Sequence, residues 1–179
     1  NKNDILHRAI SGGDYTQKKV EETNTPSMDI QIASNFERLL YDVKDCNSEY
    51  TKDVMSKIKD NSYKIGKNDL DKIKKNFISE MLDENETIEM IKTINNEHKI
   101  VVDPHTAVGI GAARKLGLEK NCVVLSTAHP CKFPQAIEDA ISKTENLPDS
   151  LNYVYDRKEK FELLPNDIEK VKGYVMNSI

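Results

Sequence analysis

The sequence predicts an α/β protein in which helices flank a parallel sheet, with a further run of helices ahead of the strands. From residue 100, short β-branched runs alternate with helical patterns in the order strand, helix, strand, helix. Neighbouring parallel strands need crossovers of this kind, and these crossovers are right-handed. Upstream, residues 48–98 carry apolar residues three and four positions apart, the spacing of amphipathic helices. At 179 residues the chain is long enough to bury a core.

Residues 1–44, together with 99–145, are assigned to one α/β domain. The opening segment "NDILHRAISGG" has apolar residues at helical spacing, an Asn/Asp start and a glycine pair as its stop. A polar loop leads to a second helix, whose cap is Ser34 or Asn35 and whose apolar residues begin at Phe36.

Residues 45–98 are predicted to form a helical insert of two to four amphipathic helices. A short extended piece at "SYKIGK" interrupts them, because Gly66 would break a helix there. The charge run at 67–75 is typical of a solvated helix face.

Two strands are predicted at about 100–103 and 121–126, each followed by a helix, the second of which has Pro134 near its start. In open α/β sheets, polar groups collect at the carboxyl ends of the strands. We therefore expect the turns at 103–106 and 126–132 to lie at the same sheet edge. Asp103, directly before Pro104, is interpreted as the cap of the following helix rather than as a catalytic residue.

Residues 146–179 are predicted to form a tail that ends in a helix. That helix lies in "LPNDIEKVKGYVMNSI", with Asn166 or Asp167 as its cap.

Composition excludes several classes of partner. The 26 basic and 30 acidic residues are interspersed and give a formal net charge of -4, which argues against nucleic acid or an anionic membrane. No apolar run approaches the roughly 20 residues that span a bilayer. The three cysteines lack the spacing of a zinc site or disulfide framework, which favours a reducing, cytoplasmic location. The sequence does not begin with methionine, and its first residues already lead into a helical pattern. We therefore expect it to be cut from a longer chain.

The stretch "VVLSTAHPCKF" at 123–133 places nucleophiles and an imidazole directly after an apolar run. A triad of Ser126 or Cys131 with His129 is disfavoured, because side chains two residues apart on a turn rarely share hydrogen-bonding geometry. No G-x-S-x-G elbow surrounds the serine either. The hydroxyl of Thr127 has two interpretations: it bonds a ring nitrogen of a heteroaromatic cofactor, or it satisfies local backbone groups.

Neither a metal site nor a P-loop is predicted. The four histidines show no i, i+4 pairing or carboxylate partnering of the kind that metal sites use. The segment "GIGAARKLG" lacks the Gly-Lys-Ser/Thr ending of a P-loop, so Gly109 and Gly111 are interpreted as positions of close helix packing.

Four segments together resemble the threonine synthase family of bacterial and fungal type. In the family's order they are "NDILHR", "TPSMDIQIASNFERLLYD", "DPHTAVG" and "STAHPCKF". The resemblance implies the tryptophan-synthase-β-like fold (fold type II), a twisted parallel sheet with flanking helices and an added helical region. It also implies a pyridoxal-phosphate enzyme that converts O-phospho-L-homoserine and water into L-threonine and phosphate.

The same resemblance suggests roles for individual side chains. Thr127 of the "TAHP" motif would lie beside the pyridine nitrogen of the cofactor, with Ser126 and His129 as further candidates near the ring. The candidate substrate contacts are Asn35, Arg38 and Lys132. For the first two, helix capping or surface pairing explains the residue equally well.

The sequence departs from the family at the cofactor's lysine. In the family, the Schiff-base lysine and the phosphate-binding loop lie upstream of "NDILHR". We therefore expect no catalytic residue in this chain, and Lys132 should not be mistaken for that lysine. The chain alone should be inactive and should need the missing N-terminal part of the same protein. Cys131 stands where relatives usually carry alanine.

Two other functions stay open at this stage. One is a stand-alone binding or regulatory module derived from the same fold. The other is a hydrolase that uses Ser126 or Cys131, which an electrophilic probe would label.

Overall fold

The computed structural model describes residues 1–60, 63–118, 120–154 and 156–178. Within these residues, eight α-helices follow one another along the chain. They are α1 (Ile5–Gly12), α2 (Phe36–Val43), α3 (Ser48–Lys59), α4 (Lys67–Lys74), α5 (Glu84–His98), α6 (Pro104–Lys115), α7 (Pro134–Ile141) and α8 (Ile168–Asn177). Short 3₁₀ turns cover Pro26–Met28, Pro130–Lys132 and Asp149–Val154. The chain divides into two compact units, Asn1–Asn146 and Leu147–Ile179.

The predicted sheet has no strand ladder among the described residues. Residues 100–103 and 121–126 are non-helical, but neither segment belongs to a strand. Val123 and Leu125, at alternating positions of the second segment, are 91% and 77% exposed. A strand exists only where a neighbouring strand takes its backbone hydrogen bonds. The sheet therefore stays a prediction, whereas the helix predicted after each segment is confirmed as α6 and α7.

The first unit contains a core to which α1, α2, α3 and α4 all contribute. Its buried members are Ile5, Ala9, Tyr15, Ala33, Phe36, Leu40, Val43, Val54, Ile58, Tyr63, Ile65 and Ile73. Gly13 ends α1 in the left-handed region at a φ of 76°, as the glycine pair predicts. The N–H of Ile65 then donates to the Gly13 carbonyl at 2.8 Å. This bond confirms the extended piece at "SYKIGK", of which Ser62 lies outside the described residues.

The predicted helical insert contains three helices, α3, α4 and α5. The side chain of Asn47 caps α3, Gly66 precedes α4, and Asp83 forms a capping box with Glu86 on α5. Helices α3 and α4 pack with α1 and α2, whereas α5 packs against α6 and α7. The three helices are thus divided between two groups of neighbours, and the assignment of 45–98 as one insert stays a prediction.

A second core joins α5, α6 and α7. Its buried members are Ile91, Ala107, Ile137 and Ala140. Helix α6 carries glycine at two positions where a side chain from elsewhere in the chain lies directly on its backbone. A Cβ on Gly111 would overlap the Cδ2 atom of Leu82, and a Cβ on Gly109 would lie 3.0 Å from Cγ1 of Val124. The close packing predicted for the two glycines is therefore confirmed.

The second unit ends in α8. The carboxylate of Asp167 accepts the backbone N–H groups of Glu169 and Lys170, each at 3.0 Å, which confirms one of the two predicted caps. Ile179, the last residue of the predicted helix, lies outside the described residues. Across the described ranges, no helix is both long enough and apolar enough to cross a membrane.

Candidate functional site

The first turn of α6 is built around a buried carboxylate. Asp103 is 1% exposed and precedes Pro104, whose fixed φ suits the first helical position. Its Oδ1 accepts the backbone N–H of His105 at 3.0 Å and that of Thr106 at 3.4 Å. The capping role predicted for Asp103 is confirmed. A carboxylate buried this deeply requires donors on both of its oxygens.

His105 links this carboxylate to a distant loop. Its Nδ1 lies 3.1 Å from Oδ1 of Asp103, and its Nε2 accepts the backbone N–H of Ser27 at 3.2 Å. Because Nε2 accepts, the ring proton is assigned to Nδ1, which donates to the carboxylate. The ring of Phe133 packs on the imidazole with the centroids 4.8 Å apart. The loop that carries Ser27 is thereby attached to the start of α6.

Thr106 links the same carboxylate to Thr127. The Thr106 hydroxyl donates a hydrogen bond to Oδ2 of Asp103, and its oxygen accepts the backbone N–H of Thr127 at 3.1 Å. The two threonine hydroxyl oxygens lie 3.4 Å apart. Thr106 is 5% exposed, whereas Thr127 is exposed. A buried polar network therefore ends at an exposed hydroxyl. The same hydrogen bonds show that the turns at 103–106 and 126–132, which were expected to lie together, are adjacent.

The turn after Thr127 does not form a nucleophilic pair. Nδ1 of His129 accepts the backbone N–H of Cys131 at 3.2 Å, so this nitrogen is used by the turn itself. Ser126 and His129 are both exposed. This geometry gives no support to a hydrolase. Within the described ranges, no three His, Cys, Asp or Glu side chains come together as a metal site requires.

Two of the three candidate substrate residues lie outside the turn that carries Thr127, elsewhere on the surface of the first unit. Asn35 precedes α2, but its side chain makes no capping hydrogen bond, so the capping explanation for this side chain is wrong. Arg38 is exposed and lines a groove of about 640 Å³ together with Lys52 and Lys59. Lys132 is exposed in its 3₁₀ turn. No hydrogen bond or ion pair among the described residues joins these side chains to Thr127.

Sequence reasoning identified Thr127 but missed the residues that hold it. Asp103 was expected only to cap a helix, and Ser27, His105 and Thr106 were given no role. A signal was available in "DPHT", because three polar side chains open a helix whose next residues are small and apolar. Such a helix start is buried, and a buried imidazole needs a partner for each ring nitrogen.

Comparison with known proteins finds relatives of one kind for this chain. Residues 106–175 match the family model described as threonine synthase, C-terminal. A threonine synthase from Pseudomonas aeruginosa is 38% identical, over 98% of this chain and 38% of its own length. The threonine synthase of Saccharomyces cerevisiae is 35% identical, over 98% of this chain and 40% of its own length. By sequence, the chain is similar to the C-terminal part of the threonine synthases.

Solved threonine synthases share the fold. The crystal structure of PLP-bound threonine synthase from Brucella melitensis superposes with a TM-score of 0.84 at 35% identity, covering 99% of this chain and 39% of that one. The yeast threonine synthase structure gives a TM-score of 0.80 at 33% identity, covering 98% and 40%. The chain thus spans about two fifths of the threonine synthases it matches. The family-model match begins at Thr106 and includes Thr127.

Proposed function

We propose that this chain forms part of a threonine synthase, which converts O-phospho-L-homoserine and water into L-threonine and phosphate with pyridoxal phosphate as cofactor. The observation that carries the proposal is the exposed Thr127 hydroxyl, which lies inside the matched region at the end of a buried network. Relatives that carry the name, and a PLP-bound structure among them, support this reaction. Because the chain spans about two fifths of those proteins, the activity is proposed for the complete protein.

The donors at this site fit the ring of pyridoxal phosphate. When bound, this cofactor supplies an electron sink for negative charge that develops on the substrate. Thr106 fixes the backbone of Thr127 and donates its own hydroxyl hydrogen bond to Asp103, so the Thr127 hydroxyl stays available as a donor. A neutral hydroxyl bonds a pyridine nitrogen without protonating it, which controls how strongly the ring accepts charge. Ser126 and His129, exposed on the same turn, are further candidates beside the ring.

The substrate phosphate calls for cationic and amide donors, and we assign this role to Arg38, Asn35 and Lys132. The Arg38 guanidinium makes no hydrogen bond or ion pair with another described side chain, and it borders an open groove. Its planar fork matches two phosphate oxygens at once. The side chain of Asn35 is likewise not used for capping, so both can turn toward a ligand.

The proposed fold of the complete protein is the tryptophan-synthase-β-like fold, with a parallel sheet in which 100–103 and 121–126 are strands. Strands of parallel sheets are apolar and are covered on both faces. Val123 and Leu125 are apolar but exposed in this chain, as expected of a strand whose neighbours belong to another part of the protein. The partner that would cover them is the N-terminal part of the same protein, which would also supply the Schiff-base lysine and the phosphate-binding loop.

A cytoplasmic location fits the cysteine chemistry. Cys46, Cys122 and Cys131 are all free thiols, and free thiols persist most readily in a reducing compartment.

The test measures phosphate release and L-threonine formation by the complete natural protein, supplied with pyridoxal phosphate and O-phospho-L-homoserine. The two products should form in equal amounts, and L-homoserine as a control substrate should give no phosphate. Phosphate without threonine would indicate hydrolysis through Ser126 or Cys131. Cofactor binding without either product would indicate a binding module. Both results contradict the proposal.

A second measurement concerns the cofactor lysine. This chain by itself, mixed with pyridoxal phosphate and reduced with borohydride, should give only scattered surface labelling. A stoichiometric adduct at one lysine of this chain, Lys132 included, would contradict the upstream position of the cofactor lysine.

A further inference from the structure

We propose that Thr106 is a positioning residue that holds the Thr127 hydroxyl in the direction the cofactor ring requires, an inference that rests on the function proposed above. The two residues are 21 positions apart and meet through the N–H of Thr127, which donates to the Thr106 hydroxyl oxygen at 3.1 Å. Thr106 is 5% exposed and Thr127 is exposed. Thr106 therefore acts through Thr127 rather than on a ligand directly.

The direction of each hydrogen bond follows from counting protons. A threonine hydroxyl has one proton, and an ionised carboxylate can only accept. Oδ2 of Asp103 accepts the hydrogen bond that the Thr106 hydroxyl donates, so the Thr106 oxygen faces Thr127 as an acceptor. The distance of 3.4 Å between the two hydroxyl oxygens exceeds that of a good O–H···O bond. The proton of Thr127 consequently stays free for another acceptor.

The Asp103 carboxylate restricts rotation of the Thr106 hydroxyl, because several hydrogen bonds fix the carboxylate in place. Its side chain has no exposed surface, and its Oδ1 receives both the backbone N–H and Nδ1 of His105, at 3.0 and 3.1 Å. His105 in turn accepts the N–H of Ser27 at 3.2 Å. Hydrogen bonds in such a low-dielectric network reinforce one another. The position of the Thr127 backbone is thus fixed by the first turn of α6 and by the loop that contacts it.

A purely structural role for Thr106 makes a different prediction from a positioning role. If Thr106 only stabilised the start of α6, its removal would act independently of the side chain at position 127. If it acts through Thr127, its removal should have no further effect once the Thr127 hydroxyl is gone. Non-additivity of this kind is what a double-mutant cycle measures.

The experiment uses the complete natural protein with four variants: Thr106→Val, Thr106→Ser, Thr127→Val and the double valine variant. Thr106→Val should lower kcat about fivefold with little change in KM, because one hydrogen bond is lost. Thr106→Ser should restore kcat, and Thr106→Val should add nothing in the Thr127→Val background. Thr87→Val is the matched control, because Thr87 is fully buried on α5, not on α6, and its hydroxyl donates to the Asp83 carbonyl at the start of its own helix. It should leave kcat unchanged.

A readout independent of activity is hydrogen–deuterium exchange at the Thr127 amide, resolved by mass spectrometry with fragmentation. Exchange should be about fivefold faster or more in Thr106→Val, and near the wild-type rate in Thr106→Ser and Thr87→Val. If Thr106→Val does not fold, Thr106→Cys replaces it, since a thiol is a weak acceptor of similar size. Unchanged exchange, or multiplicative kcat losses in the double variant, overturns the proposal. If the wild type makes no threonine, the proposed function fails, while amide exchange still decides whether Thr106 holds Thr127.

Discussion

The Nε2 atom of His105 accepts a hydrogen bond from the backbone N–H of Ser27 at 3.2 Å. This bond joins the "PSMD" loop to the "DPHT" turn across 78 positions of sequence. Because Nδ1 of the same ring donates to Asp103, one neutral imidazole bridges a carboxylate and an amide. Loss of the ring nitrogens would leave buried polar groups unpaired, which costs more than the bonds contribute when formed.

The first prediction replaces this bridge with an apolar ring. His105→Phe keeps the packing against Phe133 but removes both ring nitrogens. The free energy of unfolding should fall by about 1–3 kcal/mol, because the N–H of Ser27 and one oxygen of Asp103 lose a partner. The "PSMD" loop should also be cleaved faster under native conditions. Urea unfolding and limited proteolysis measure the two effects.

The matched control is His98→Phe at the end of α5. The His98 side chain is 59% exposed, so its replacement should change the unfolding free energy by no more than about 0.5 kcal/mol. Equal effects of the two substitutions would show that the ring nitrogens of His105 contribute nothing specific.

The second prediction distinguishes two roles for the turn that follows residue 126: a hydrogen bond from Thr127 to the cofactor ring, and nucleophilic attack by Cys131. Thr127→Val removes an exposed hydroxyl, so it should leave stability nearly unchanged. It should slow turnover by the complete protein about fivefold, because one hydrogen bond to the cofactor ring is lost. The loss should be larger if that hydrogen bond strengthens as the ring accepts charge. Cys131→Ala should keep the wild-type rate, because the turn uses the backbone N–H of Cys131 and not its thiol. Steady-state phosphate release decides between them. A wild-type rate for Thr127→Val, or loss of activity in Cys131→Ala, would restore the nucleophile hypothesis.

The helices were predictable because their signals are local. Asp103, Asp167 and the pair Asp83 and Glu86 stand within a few residues of the helix starts that they cap, and Gly13 marks a helix end. Strands have no comparable local signal, because a strand forms only beside a partner strand, and the local sequence does not say which segment that partner is. The sequence around Val123 and Leu125 therefore predicts a strand, although the described residues contain no partner strand for it.

The candidate site was predictable only in part, for a similar reason. Thr127 could be identified because a polar residue after an apolar run is a local pattern. The residues that hold it lie 21 to 24 positions away, and the Ser27 amide contacts His105 across 78 positions. No spacing rule connects such positions. The burial of "DPHT" is the one feature from which partners could have been expected.

The third prediction tests the close packing of α6. Gly111→Ala would place a methyl group onto Cδ2 of Leu82, which is 1% exposed and has little room to move. Overpacking of this kind costs about 1–3 kcal/mol. The helix propensity of alanine offsets at most about 1 kcal/mol, so the net effect on the unfolding free energy should be destabilising. Thermal and urea unfolding of the purified variant measure it.

Gly12→Ala is the control for the propensity effect. Nothing lies within 4 Å of a Cβ at Gly12, so this variant should be neutral or more stable by up to about 1 kcal/mol. Leu82→Ala should relieve the clash, and the double variant with Gly111→Ala should lose less stability than the sum of the single changes. Strict additivity would mean that the two side chains do not meet.

The fourth prediction concerns stability in acid. Hydrogen bonds from Thr16 and from Arg8 hold the pKa of Asp14 at about 2, below its ordinary value of 3.8. In the folded protein, the backbone N–H of Thr16 donates to Oδ1 at 3.1 Å and Nη1 of Arg8 donates to Oδ2 at 2.8 Å. A carboxyl group whose pKa is lower in the folded state than in the unfolded state adds stability above its unfolded pKa. That contribution should disappear as the pH falls from 3.8 to about 2.

Asp14→Asn keeps the shape of the side chain but cannot ionise, so its urea midpoint should fall less steeply than the wild-type midpoint across this pH window. The Asp14 side chain is 40% exposed, and added salt should therefore shrink the difference by screening its attraction to Arg8. Asp53→Asn controls for the loss of one negative charge, because Asp53 lies on the surface of α3 and pairs only with Lys57 among the described residues. If Asp14→Asn and the wild type lose stability in parallel between pH 3.8 and about 2, the contacts of Asp14 do not stabilise the fold.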